Sequence, residues 1–355
     1  MNRDTNGSRA SSRRDAKPKG PAPIRAKGNA LGQSDNASNP TRSQQRSFTP
    51  RDARGGPRTQ FTGRGAPPPK RPPLTVFPTT LWEYPSQHYD AWVDEQGQVH
   101  QSRFQGRSGA LAMQGDQEYV GATPSWVVWQ VLMRYTNPGD LVIDPMCGSG
   151  TTLDVCADLD RRGVGFDLAP TRPEITRNDS RSLPLGTGSA ACAFIDPPYS
   201  THVHYSDDPA CIGTLDARGD DGGKAYYDAM RRVLSELRRV LRPGGVLALY
   251  VSDSFRKRKG KPGGTFMPIG VELFDILSES MNPMDMIAVV RHNEKLSRGN
   301  WRKAAVEENF YLRGFNYLML FEKPLSAPNP KHIQAQSHKQ THKQPSGPQQ
   351  RANRR

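Results

Sequence analysis

Regular hydrophobic patterning begins well inside the chain. Thr123-Pro124 precedes Trp126, Val127, Val128, Val131, Leu132 and Tyr135, a helix signal in which Thr123 can cap the N-terminus and Pro124 takes the tolerated first turn. Asn137-Pro138-Gly139-Asp140 stops that helix, and the apolar run 141–144, bounded by turn residues, reads as a buried strand. It leads into Met146-Cys147-Gly148-Ser149-Gly150-Thr151-Thr152 and a helix to about Leu159. Residues 164–167 form a second strand ending in an acid, 175–181 a weaker element, and 191–195 a strand ending at Asp196-Pro197-Pro198-Tyr199. Over 224–241, Tyr226, Met230, Val233, Leu237 and Val240 fall on one face at helical spacing, with Arg231, Arg232, Glu236 and Arg239 elsewhere. Pro243-Gly244-Gly245 ends this helix; strand 246–251, helix 268–280 and strands 284–290 and 316–321 follow. Strands alternating with helices predict an α/β fold whose mostly parallel sheet is covered on both faces.

The ends of the chain are built differently. From 1 to 72 the only apolar residues larger than Ala are Met1, Ile24, Leu31, Phe48 and Phe61, too few to bury a core. Of 49 Lys+Arg and 35 Asp+Glu, residues 1–72 hold 16 and 4 and residues 325–355 hold six and none, leaving 27 basic and 31 acidic between 73 and 324. The excess of positive charge therefore lies in the ends. We expect disordered basic tails at 1–72 and 325–355 around one domain at 73–324. The Arg/Ser-rich start imitates an organellar transit peptide, but its proline content favours a plain basic arm. No run of about 18 apolar residues and no secretory stretch is present, which argues against a membrane or secreted protein. Cys147, Cys156, Cys192 and Cys211 form no CxxC pair and no zinc-type spacing, so a reducing, cytoplasmic setting with buried thiols is expected, without metal.

Three features fall at the carboxyl ends of predicted strands, where open α/β sheets bind ligands: the glycine loop, Asp167, and Asp196 to Tyr199. Gly148 and Gly150 remove Cβ atoms where the chain turns sharply, so a ligand can approach the backbone at the next helix's N-terminus. No Lys follows, so this is not a P-loop, and Leu153 replaces the third glycine of a dinucleotide fingerprint. The segment from Thr136 to Pro145 followed by Gly148-Ser149-Gly150-Thr151-Thr152, with Asp196-Pro197-Pro198-Tyr199 downstream, resembles the S-adenosylmethionine-dependent amino-methyltransferases that act on exocyclic nitrogens of DNA bases. The resemblance covers about 120–324. It implies a Rossmann-like class I methyltransferase domain with a seven-stranded sheet, S-adenosyl-L-methionine as cofactor and DNA as partner. It further implies that Asp144, Pro145, Cys147, Gly148, Ser149, Gly150 and Thr151 cradle the methionine part of the cofactor, and that Thr123, ahead of the helix that packs against this moiety, is a further cofactor-binding residue. Asp167 would hold the ribose and Asp179 the adenine amino group.

An exocyclic amine is a poor nucleophile because its lone pair is delocalised into the ring. A carboxylate and a fixed carbonyl accepting its two N–H bonds favour the pyramidal geometry that frees the pair, and Asp196 and the Pro197 carbonyl are the candidates. Pro197 and Pro198 make the turn rigid, and Tyr199 would stack on a flipped base. Asp rather than Ser at the first position leans, in the family, toward adenine N6 over cytosine N4. Transfer to cytosine C5 would need a nucleophilic Cys, usually after Pro; Cys211 follows Ala210, and Cys147 lies in the cofactor loop. The order of the motifs also resembles RNA guanine-N2 methyltransferases of the tRNA-modifying type, though 74–119 is short for their RNA-binding domain. A third reading is a non-catalytic nucleic-acid-binding subunit, against which the intact Gly148, Gly150, Asp167 and Asp196 argue.

Residues 294–314 mix Arg298, Arg302 and Lys303 with Trp301, Phe310 and Tyr311, a composition suited to phosphates and stacked bases, or to a solvated β-hairpin with core aromatics. His202, His204, Asp207 and Asp208 follow the Pro-Pro turn; direct transfer needs no metal, and this loop is read as shaping the base pocket. Residues 74–119, with Trp82, Tyr84, Tyr89 and Trp92, read as a structural extension or an aromatic base-contacting surface.

Overall fold

The computed structural model describes residues 71–104, 114–116, 119–257, 263–292, 296 and 298–325, and nearly all of both expected tails lies outside them. The described chain opens with β1 (Leu81–Trp82) and the antiparallel pair β2 (Ala91–Val93) and β3 (Val99–Gln101), followed by helix α1 (Ser125–Tyr135). Next come β4 (Leu141–Asp144), α2 (Thr151–Asp158), β5 (Arg162–Asp167), β6 (Ile175–Arg177) and β7 (Ala190–Ile195). Two 3-10 turns, Ser200–His202 and Ile212–Thr214, lead to α3 (Lys224–Val240), β8 (Leu241–Val251) and the hairpin of β9 (Ser254–Lys257) and β10 (Gly264–Met267). The last elements are α4 (Ile269–Ser278), β11 (Asn282–Val290), α5 (Gly299–Glu307) and β12 (Phe315–Glu322).

The main sheet runs β1-β11-β12-β8-β7-β4-β5-β6; β12 is antiparallel to both neighbours and all other pairs are parallel. The fold is therefore the expected Rossmann-like α/β arrangement, but with eight strands rather than seven. The eighth, β1, pairs only Leu81 and Trp82 with Ala288 and Val289, too short a strand to show any periodicity. The chain runs outward from β4 to β5 and β6 and then returns to β7 on the other side of β4. That reversal opens a crevice beyond the carboxyl ends of β4 and β7.

Both faces are covered. On α3, Tyr226, Met230, Val233, Leu237 and Val240 are all buried against the sheet and α4, as their spacing predicts. The opposite face is packed by α1, α2 and the extension, whose Trp82, Tyr84, Tyr89 and Trp92 enter the core. Several buried polar groups there are paired: the Tyr89 hydroxyl donates to Asp158 (2.9 Å), and the Gln130 amide accepts from the Phe77 amide (3.0 Å) while donating to the Thr75 carbonyl (2.7 Å). The extension is thus structural. It is engaged from its start, because Arg71 pairs with Asp90 and the Tyr84 hydroxyl donates to the Pro72 carbonyl.

Two further expectations are corrected. Strand β8 begins at Leu241 rather than after the glycines; its register against β7 shifts between Ala190 and Cys192, with Gly244 at φ +72°, so Pro243-Gly244-Gly245 makes an irregularity in the strand. The stretch 294–314 is not a hairpin but carries α5, an exposed helix without buried side chains. Among the described residues no helix is long and apolar enough to cross a membrane.

Candidate active site

The loop from β4 to α2 is fixed from within. Asp144, at the tip of β4, accepts from the Thr152 hydroxyl (2.5 Å) and the Met146 amide (3.1 Å), tying both ends of the loop together. Burial nevertheless raises its carboxyl from 3.8 to about 7, outweighing those two bonds. Gly148 adopts φ +47°, and a Cβ there would lie 2.8 Å from the Tyr119 ring. Gly150, at φ +79°, starts α2. Ser149 and Thr151 turn inward and share a hydrogen bond (2.8 Å), while Cys147 is buried with its thiol pushed up by desolvation.

Asp167 ends β5 beside this loop. One oxygen accepts from the Gly148 amide (2.9 Å) and the other from the Ala169 amide (2.9 Å). Asp167 lines an open cleft whose walls include Tyr119, Pro145, Met146, Leu168, Asn178, Ser180, Asp196, Pro198, Tyr205 and Ile212. The cleft thus brings together Pro145, Asp167, Asp196 and Pro198 of the sequence-predicted set. Asp179 does not line it: its carboxylate is held by the Arg181 guanidinium (2.6 Å at the shortest), and the neighbouring Asn178 and Ser180 face the cleft instead.

Asp196 follows β7. Its oxygens accept from the Thr123 hydroxyl (2.7 Å) and the Tyr199 hydroxyl (2.6 Å). Thr123 therefore does not cap α1, whose N-cap residue is Pro124 with no side-chain bond; the hydroxyl is spent on Asp196. Desolvation lifts the Asp196 carboxyl to about 6, opposed by the two hydroxyls and by the charge of Arg291. The Pro198 carbonyl is occupied by the Tyr226 hydroxyl (2.7 Å) and the Ser200 amide (3.1 Å).

Beyond Asp196 lies a second, larger cavity. Its lining includes Tyr199, Tyr205, Tyr250, Arg291, Trp301 and Asn316. Asp196 and Tyr205 line both spaces. Of the four candidates in 298–303, Trp301 reaches this cavity, Arg298 precedes α5, and Arg302 and Lys303 are exposed on that helix, Lys303 pairing with Glu307 (3.7 Å). His202 lines the cavity, His204 pairs with Asp207 and Asp208 with Arg177. Among the described residues no group of three His, Cys, Asp or Glu is placed to hold a metal. Sequence reasoning missed Tyr119, Tyr205, Tyr250, Arg291 and Asn316. A signal existed for Asn316: the start of an antiparallel last strand lies on the same sheet edge as the carboxyl ends of its parallel neighbours.

Comparison with known proteins shows similarity to methyltransferases. The type II methyltransferase M.EcaI of Enterobacter cloacae is 28% identical over 113 residues, 25% of this chain and 25% of that protein. The mouse (Mus musculus) U6 snRNA (guanine-N(2))-methyltransferase THUMPD2 is 27% identical over 164 residues, 41% of this chain and 27% of its own. The chain thus spans only about a quarter of the length of these curated relatives. Among solved structures, TrmN from Thermus thermophilus shares 17% identity over 57% of this chain and 50% of that one, at a TM-score of 0.36, too low to establish a common fold. The family model described as DNA methylase, N6_N4_Mtase, matches residues 39–178 and 190–354. With most of its length so matched, the chain belongs to the S-adenosylmethionine-dependent DNA amino-methyltransferase family.

Proposed function

We propose that this protein transfers a methyl group from S-adenosyl-L-methionine to an exocyclic amine of a base flipped out of DNA, with adenine N6 favoured over cytosine N4. The observation that carries the reading is the position of Asp196, the carboxylate shared by a cleft beside the glycine loop and the larger cavity beyond it. The bound cofactor would supply an electrophilic methyl group on a sulfonium. Its fit is supported by the donor set: Asp167, Asn178 and Ser180 give the cleft a polar side, and Leu168, Ile212, Pro145 and Met146 an apolar one. Asp167 keeps spare lone pairs for ribose hydroxyls, because each oxygen accepts only one backbone N–H.

Asp196 and the Pro197 carbonyl would take the two amine N–H bonds. Tyr226 and Ser200 already occupy the next carbonyl, which leaves that of Pro197 as the turn's acceptor. Thr123 and Tyr199 hold the carboxylate in place, so its alignment costs no reorganisation when the base arrives. Trp301 at the cavity and Arg298, Arg302 and Lys303 around α5 would meet the nucleic acid, a role that gains support from the continuity of that helix with the cavity wall. The four cysteines are free and buried, which suits the cytoplasm.

An RNA guanine-N2 substrate is the second reading, favoured by the longer stretch of this chain that aligns with THUMPD2. Transfer of a labelled methyl group to DNA, RNA and protein side by side, followed by nucleoside analysis, tests both. Label on an exocyclic amine in DNA is the expected result, and label confined to RNA or protein would overturn it.

A further inference from the structure

We propose that Arg291 binds a backbone phosphate of the nucleotide whose base enters the larger cavity. The inference rests on the methyl-transfer reading above, and it adds a contact inside the cavity to those assigned to α5. Arg291 directly follows β11, and its main-chain N–H donates to the Gly314 carbonyl (2.9 Å). Both β11 and β8 run antiparallel to β12, and β8 runs parallel to β7, so Arg291 stands on the sheet edge that carries Asp196. It is half-buried and lines the cavity with Asp196, Tyr199 and Tyr250. Its positive charge acts on all three.

That charge is not matched by a bonded carboxylate. The two carboxylates in the cavity wall are engaged elsewhere: Asp196 accepts from the Thr123 and Tyr199 hydroxyls, and Asp253 from the Gly270 amide (3.0 Å) and the Tyr317 hydroxyl (3.1 Å). Among the described residues Arg291 forms no ion pair. The other arginine of the wall, Arg313, is already engaged, with its guanidinium over the Phe266 ring (5.3 Å) and Nη2 donating to the Tyr311 carbonyl (3.0 Å). His292 faces Glu83 at 3.3 Å.

A cation partly withdrawn from water and lacking a counter-ion is suited to an anion. Nucleobases are neutral near pH 7, so the anion that a flipped nucleotide brings with it is phosphate. Asp196 and Asp253 would repel that group as it approached. Arg291 offsets them, and its planar fork can donate to two phosphate oxygens at once. A nucleotide held by its phosphate at Arg291 and by its amine at Asp196 loses the freedom to turn within the cavity, which is positioning of the kind that lowers a transfer barrier.

The test uses a DNA duplex that the wild-type protein methylates and two twins, each with a neutral methylphosphonate in place of one phosphate flanking the target nucleotide. Affinities for all three are measured with wild type and Arg291→Gln in the presence of S-adenosylhomocysteine. Wild type should bind at least one twin about tenfold or more weakly than the natural duplex, and Arg291→Gln should bind that twin and the natural duplex within about threefold of each other. The slope of log affinity against log salt should also be shallower in Arg291→Gln, by about one. A wild type indifferent to both neutral linkages, or a variant that discriminates as wild type does, would overturn the contact. The second of these is the result expected if the guanidinium met a neutral base atom instead. Should Arg291→Gln fail to fold, Arg291→Met, which keeps an unbranched stem without the charge, is read by the same criteria. A protein that methylates no DNA contradicts the proposed reaction itself, and this contact with it, before the duplexes are compared.

Discussion

Asp196 is pulled in opposite directions. Two hydroxyl donors and the charge of Arg291 favour its ionised form, yet burial dominates and the carboxyl rises to about 6. A reaction that needs the carboxylate should lose rate as pH falls through about 6. Tyr199→Phe removes one of the lowering donors, so the acid limb of kcat/KM against pH should move to higher pH. An unmoved limb would show that the hydroxyl does not act on Asp196. Tyr199→Ala should cost still more, about tenfold beyond the Phe variant, because it also removes a stacking ring. Asp167→Ala should instead weaken cofactor binding first, by about tenfold or more in calorimetry, because it removes both the proposed ribose acceptor and the anchor of the Gly148 amide. Asp167 and Asp196 were legible in the sequence because each ends an apolar run where a parallel sheet opens. Thr123 was misassigned because a Thr before Pro carries a local capping signal, and only the fold brings Asp196 to its hydroxyl. Asn316 carried only a topological signal, since its place in the cavity wall depends on the register of β12 against β11 and β8.

The β4-to-α2 turn is the element on which the cofactor assignment depends. Gly148→Ala would put a Cβ into the Tyr119 ring at a backbone conformation that disfavours side chains. Its cofactor dissociation constant should rise about tenfold and its melting temperature fall by a few degrees, and an unchanged constant would remove the turn from the binding site. Asp144 gives the same element a pH signature. Its carboxyl is raised from 3.8 to about 7, so between those values the folded chain holds a proton that the unfolded chain releases. Stability from this group is complete below about pH 4 and is lost as pH rises through about 7. The melting temperature of Asp144→Asn relative to wild type should therefore be higher at pH 8 than at pH 5; a difference independent of pH would mean that the carboxyl titrates alike in both states. Long elements with a repeating pattern, such as α3, were read from the sequence almost to the residue. The two-residue β1 was not, because its pairing comes from β11 rather than from any pattern of its own. Helix α5 was missed because it buries nothing and so has no apolar stripe to announce it.

For the molecule as a whole, charge is partitioned: residues 73–324 hold 27 basic and 31 acidic groups, and the excess lies in the ends. We propose that those ends neutralise phosphates without reading sequence. The structure sets where to cut, because Arg71 and Pro72 are already bonded to the domain. Removing 1–70 and 326–355 should lower DNA affinity and flatten its salt dependence while cofactor binding stays as it was; superimposable salt series would place the contacts on the folded surface. The central claim is narrower than this and rests on Asp196 standing between two cavities. It is tested most directly by a single-turnover transfer of labelled methyl from pre-bound S-adenosyl-L-methionine to DNA, comparing wild type with Asp196→Ala at equal cofactor occupancy. Wild type should label an exocyclic amine, and the variant should bind the cofactor normally yet transfer at least about a hundredfold more slowly. Transfer by Asp196→Ala at a comparable rate, or label recovered anywhere other than an exocyclic amine, would contradict the account.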